Sequence, residues 1–176
     1  MKKDLKIAVS GMSGCGNTTI SKLVAQRLGL NFINYTFRSL AEEKGLSLNK
    51  VLELSASDDS WDREVDSRQV QLARNSGGCV IGSRLAIWML EEADLKVYLR
   101  ASAETRAARI VKREGGDINA VAAFTAERDR QDNGRYIRIY NIDNFNYQFA
   151  DIIIDTDELL PEQIAQIIIG AAGKIN

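Results

Sequence analysis

Short apolar runs alternate along the chain with longer segments whose apolar residues recur every three or four places. Residues 5–10 (Leu-Lys-Ile-Ala-Val-Ser) are apolar and β-branched and end at Gly11, which predicts a buried strand. Ile20, Leu23, Val24 and Leu28 stand at helical spacing within residues 18–28, and Gly29 stops that helix. Residues 31–34 predict a second, short strand. Helices follow over 36–44 and 47–54, parted by Gly45, and over 59–74, whose apolar members are Trp61, Val65, Val70 and Leu72. Gly77-Gly78 breaks the last of these. Cys79-Val80-Ile81 and residues 95–99 read as strands, with a helix over 85–92 between them. Ser102 is an N-cap candidate for a helix to Arg113, closed by Gly115-Gly116. A helix over 118–139, a strand over 151–155 and a helix opened by Pro161 complete the series. Such alternation predicts a parallel sheet covered on both faces. There is no internal repeat and no low-complexity segment.

Between the first strand and the first helix lies Gly11-Met12-Ser13-Gly14-Cys15-Gly16-Asn17-Thr18-Thr19. Glycines let the backbone turn its N–H groups around an anion, and the helix N-terminus adds a favourable dipole. Against the phosphate-loop pattern G-x-x-x-x-G-K-[ST], Gly11, Gly16 and Thr18 match, and the Thr18 hydroxyl is placed to ligand Mg²⁺. The lysine position holds Asn17, which offers a neutral N–H and no charge. A plain glycine-rich turn is the alternative to phosphate binding here.

Composition narrows the chemistry. The length of 176 residues suits one domain, and the single proline argues against a disordered linker. No histidine is present, which removes Ser-His-Asp triads, His-bound zinc and His bases. Cys15 and Cys79 are far apart, so neither a disulfide framework nor a zinc site is expected. Lys plus Arg number 23 against 24 Asp plus Glu, a balance that argues against nucleic acid as partner. No run is long enough to span a membrane, and the start, Met1-Lys2-Lys3-Asp4, lacks the features of a signal peptide. A cytoplasmic protein, monomer or dimer, is the expectation.

Further segments carry a resemblance. They are Thr36-Phe37-Arg38-Ser39-Leu40-Ala41, Asp62-Arg63-Glu64-Val65-Asp66-Ser67-Arg68-Gln69, Ser83-Arg84-Leu85-Ala86, the stretch from Arg106 to Glu114, and Arg128, Asp132, Arg135-Tyr136, Tyr140 and Ile142-Asp143. With the glycine loop, they make residues 5–169 resemble the cytidylate kinases, in their short archaeal-type branch. The resemblance implies a three-layer α/β/α, adenylate-kinase-like P-loop fold with a five-stranded parallel sheet. It implies one domain over 1–176, with a monophosphate-binding region at about 36–74 and a lid at about 102–116. The implied reaction takes a phosphoryl group from Mg²⁺-bound ATP to a pyrimidine nucleoside monophosphate, CMP or dCMP ahead of UMP. Arg38, Arg84 and Arg135 would hold the acceptor, while Arg109, Arg113 and Arg128 close over the donor. Residues 11–19 would hold the ATP phosphates. The family usually carries an acidic residue and then glycine before the second arginine, where this chain has Gly82 and Ser83.

Elementary chemistry agrees with the arginines, since guanidinium is permanently charged and forked for phosphate. Surface arginines are more often solvated, and Arg106, Arg109 and Arg113 can instead pair with Glu104 or Glu114. Asp62 and Asp66 lie one turn apart and can read the acceptor's base or sugar, or pair with Arg63 or Arg68. Asp132, one turn from both Arg128 and Arg135, is the ribose candidate. Asn17 and Gly82 both weaken the Mg·ATP side, so impaired turnover is expected, with a non-catalytic nucleotide-binding regulator as the alternative.

Overall fold

Strand β1 (Lys6–Gly11) is buried along almost its whole length because helices cover both faces of the sheet. Its alternate side chains enter different layers: Ile7 and Val9 pack with Ile20 and Val24 on one side, and Ala8 with Val70 and Ala73 on the other. The same alternation holds for Val97 and Leu99 against Tyr98. The inner positions of β1 are apolar as such a strand requires, apart from Ser10, whose buried hydroxyl accepts from the Ile87 N–H at 3.1 Å. The computed structural model describes residues 4–175, so the charged start at residues 1–3 lies outside the described residues.

The chain continues as α1 (Asn17–Leu28), β2 (Asn31–Ile33), α2 (Phe37–Lys44), α3 (Leu48–Ser55), α4 (Ser60–Asn75), β3 (Cys79–Gly82), α5 (Ala86–Met89), β4 (Leu95–Arg100), α6 (Ala103–Glu114), α7 (Ile118–Tyr140), β5 (Ile152–Asp155) and α8 (Pro161–Ala172). All strands are parallel, in the order β2-β3-β1-β4-β5. The fold is a three-layer α/β/α sandwich of the adenylate-kinase-like P-loop type. The path leaves β1 toward one edge and β4 continues on the other side. A crevice therefore opens at the carboxyl end of β1, where such sheets take ligands.

Caps mark the helix ends as expected: Ser102 accepts from the Thr105 N–H, and Thr36 and Ser39 form a reciprocal capping box. One expectation needs correcting. The helix anticipated over 85–92 is the single turn Ala86–Met89, because Leu90 leaves the helical conformation and the chain turns directly into β4.

Candidate functional site

Gly14 and Gly16 take left-handed backbone angles (φ 84° and 100°), which bends residues 11–16 around the first turn of α1. Cys15 is buried in this loop, and burial pushes its thiol up to about 11, so no thiolate opposes an incoming anion. The Thr18 and Thr19 hydroxyls are exposed at the mouth of α1 and bond no described residue. Asn17 turns back: its Nδ2 donates to the Gly11 carbonyl at 2.5 Å and its Oδ1 is buried without a donor. The amide therefore staples the loop to its own start instead of projecting from it.

A cleft of about 1240 Å³ extends from the loop. Met12 through Thr19 line it, as do Arg38, Asp62, Asp66, Arg84, Arg109, Arg113, Arg128 and Arg135. Of the residues expected to hold nucleotide, Gly11 and Asp132 stay behind its wall. Asp132 lies on α7, 5% exposed, and binds two arginines. Its Oδ2 is 2.8 Å from Arg84 Nη1 and its Oδ1 is 2.9 Å from Arg135 Nη2, with Arg128 at 4.0 Å. Arg84 also donates to the Ser13 hydroxyl at 2.6 Å, which ties the β3–α5 turn to the phosphate loop. Arg135 reaches Asp62 at 3.0 Å. Arg38 is exposed and pairs with no described residue.

The acidic face of α4 differs from its simplest sequence reading. Arg63 donates to the Ile139 carbonyl, and Arg68 to Glu43 and Gln71, so neither pairs with Asp62 or Asp66. Asp62 and Asp66 are taken instead by Arg135 and Tyr140 of α7, while Arg68 turns to α2 and to its own helix. Burial raises Asp62 despite the pull of Arg135. Asp66 accepts from the Tyr140 hydroxyl at 2.7 Å, yet burial lifts it to about 6. A proton is therefore held by the native state between about pH 4 and 6 that the unfolded chain releases. Stability falls as pH rises through that window, and the full penalty stands above it. Asp66→Asn is expected to stabilise the fold by about 1–3 kcal/mol at pH 7.5. The gain should fade below pH 4, as read from urea midpoints at both values.

The three lid arginines separate. Arg109 donates to the Thr156 hydroxyl and carbonyl at 2.9 and 2.5 Å. Arg113 pairs with Glu114, the partner its spacing allowed. Arg128 remains largely in solvent, with a side-chain exposure of 54%.

A second arginine–carboxylate pair escaped the sequence reading. Arg106, 7% exposed, bonds Asp129 Oδ2 at 2.5 Å and the Ser13 carbonyl at 3.1 Å. Asp129 Oδ1 accepts from the Ser13 N–H at 3.3 Å. The Ser13 peptide is thus held at both ends by α6 and α7. A signal was present: the buried stripe of α7 runs Thr125, Asp129, Asp132, Tyr136, Ile139 at 4-3-4-3 spacing, and its inward polar members demanded partners. Arg106→Met leaves Asp129 buried and unpaired, with an expected loss of about 3–5 kcal/mol by urea denaturation.

For Mg²⁺, among the described residues there is no group of three or more His, Cys, Asp or Glu able to hold a metal. Asp129 and Asp132 are committed to arginines, and a Cβ at Gly82 would stand 2.5 Å from Ser21 Oγ. The Thr18 hydroxyl fits an ion that keeps mostly water and phosphate oxygens as ligands. No helix among the described residues is long and apolar enough to cross a membrane.

A parallel sheet in this strand order, with a glycine-rich loop after its central strand and arginines across the cleft, defines a P-loop kinase-type protein. The fold is shared with shikimate kinase from Bacteroides thetaiotaomicron, at TM-score 0.66 and 17% identity over 96% of this chain and 98% of that one. The chain belongs to the cytidylate kinase-like family, whose model matches residues 6–158. It is 42% identical to "Cytidylate kinase 2" of Borreliella afzelii, over 98% of each chain. It is 41% identical to the cytidylate kinase of Pyrococcus horikoshii, over 100% of this chain and 93% of that protein.

Proposed function

We propose that this protein transfers the γ-phosphoryl group of ATP to a pyrimidine nucleoside monophosphate, CMP or dCMP, with slowed turnover. One observation carries the reading: the glycine-rich loop and the arginines at 38, 84 and 135, from three separate parts of the chain, line one cleft. The family membership and the names of the relatives support the same acceptor.

The loop amides and the α1 N-terminus would bind the ATP phosphates. Arg38, Arg84 and Arg135 would neutralise the acceptor phosphate, which otherwise repels the donor. Asp132 positions two of them by bridging Arg84 and Arg135. An oxygen of the acceptor phosphate attacks the γ-phosphorus, the bond to the β–γ bridging oxygen breaks, and ADP leaves with the nucleoside diphosphate. No side chain is phosphorylated. Mg²⁺, held by the Thr18 hydroxyl and phosphate oxygens, would add charge neutralisation when bound. Arg109, Arg113 and Arg128 belong to the donor side, and movement of residues 102–116 would bring Arg109 and Arg113 over it, beside Arg128 on α7. Residues 36–74 would form the acceptor-binding region.

A coupled assay for ADP release over CMP, dCMP, UMP and AMP tests this. ADP formation with CMP or dCMP above the others is the expected result, and none with any pyrimidine monophosphate removes the kinase reading. The Asn17 staple to Gly11 favours a second reading, since it leaves the loop without its ammonium. In that case the chain is a nucleotide-binding regulator, and CMP binds without any ADP appearing.

A further inference from the structure

Along α4, Asp62, Val65, Asp66 and Gln69 recur at i, i+3, i+4 and i+7 and line the cleft together. Both carboxylates have partners there, Arg135 for Asp62 and Tyr140 for Asp66. Gln69 has none. It is 4% exposed, hydrogen-bonds to no described residue, and leaves Oε1 buried without a donor. An amide kept in that condition costs stability unless a ligand satisfies it.

A carboxamide presents an acceptor and a donor side by side in one plane, which is why it pairs in bidentate fashion with a base edge. Cytosine offers the reciprocal pair, the N4 amino group beside N3. Uracil offers the reverse, the O4 carbonyl beside N3–H. A freely turning amide accepts either, so a neighbour must choose. Asp66 stands one turn back on the same face. The charged and titratable groups around it are Asp62 on its own helix and Arg135 and Tyr140 on α7. Ionised, it favours an amino group over a carbonyl oxygen. Seven residues of helix separate Gln69 from Asp62, the anchor of Arg135, by about 10 Å. A nucleoside monophosphate covers that span with its phosphate on Arg135.

We propose that Gln69 reads the Watson–Crick edge of the acceptor base, accepting from N4 and donating to N3 of cytosine, with Asp66 disfavouring a carbonyl there. The assignment rests on the acceptor being a nucleoside monophosphate.

Equilibrium titration of the full chain with CMP, its pyrimidin-2-one analogue lacking the amino group, and ribose 5-phosphate tests it. The wild-type protein should bind the analogue on the order of 10- to 100-fold more weakly than CMP. In Gln69→Leu that ratio should fall toward one, through weaker CMP binding, while ribose 5-phosphate binding stays unchanged. An unaltered ratio in Gln69→Leu overturns the proposal, as does equal weakening of CMP and ribose 5-phosphate. Should that variant not fold, equal wild-type affinity for CMP and the analogue also overturns it. Wild-type protein that binds neither CMP nor ribose 5-phosphate removes the parent reading as well. Binding CMP without preference removes the base assignment alone.

Discussion

Arg84→Met is expected to lower kcat/KM for phosphoryl transfer to CMP by ~10³-fold or more, with most of the loss in kcat. Arg84 comes from the turn after β3 and touches two parts of the machinery. One end of its guanidinium donates to Ser13 of the cradle and the other meets Asp132. Its side chain is only 23% exposed, so its charge is weakly screened where the proposed reaction would bring donor and acceptor phosphates together. With Asn17 in the lysine position, Arg84 is the cleft-lining cation bonded to the loop itself. Arg84→Lys should recover only part of the rate, because an ammonium keeps the charge and loses the fork that joins Ser13 to Asp132. Asp132 keeps Arg135 in either variant, so the fold should survive, which thermal melting checks. A kcat within about threefold of wild type would remove Arg84 from the transfer step.

Asn17→Lys should change the rate in the other direction, raising kcat by ~10²–10³ with a small effect on binding of CMP. The Asn17 amide is folded onto Gly11 and cannot follow charge onto the transferring group. A lysine there supplies a long stem and a permanent charge at the β- and γ-phosphates. The substitution gives up one hydrogen bond and removes one buried oxygen without a donor, so the net change in stability should be small. If the variant folds and kcat does not rise, the missing carboxylate at position 82 becomes the cause. Adding it alone is sterically blocked: a Cβ at Gly82 would stand 2.5 Å from Ser21 Oγ and 2.8 Å from Ser21 Cβ. Gly82→Asp therefore needs Ser21→Gly beside it. The two departures on the donor side are thus of different kinds. Asn17 is a replaceable side chain, whereas Gly82 is fitted to its neighbour on α1.

The acceptor side tells a related story about partners. Asp132 was the ribose candidate on spacing, yet its carboxylate is occupied by Arg84 and Arg135. Its proximity to Arg135 on α7 was legible as i and i+3. The approach of Arg84, from another element, was not. The local pairs open to Asp62 and Asp66 gave way to Arg135 and Tyr140 for the same reason.

What the sequence alone determined is local in origin. Strand β1 is a mostly apolar run, the glycine pattern opens on its last residue and continues through the five that follow, and α1 begins directly after them. Periodicity and turn chemistry act over a few residues, so they also located the other strands and the principal helices. The tertiary structure alone decided which charges from different elements meet. Ser13 is joined to Arg84 across 71 positions, to Arg106 across 93 and to Asp129 across 116. Such pairs arise when a parallel sheet gathers distant strand ends and the helices that follow them around one crevice, and side-chain spacing shows which positions face inward but not which partner they meet.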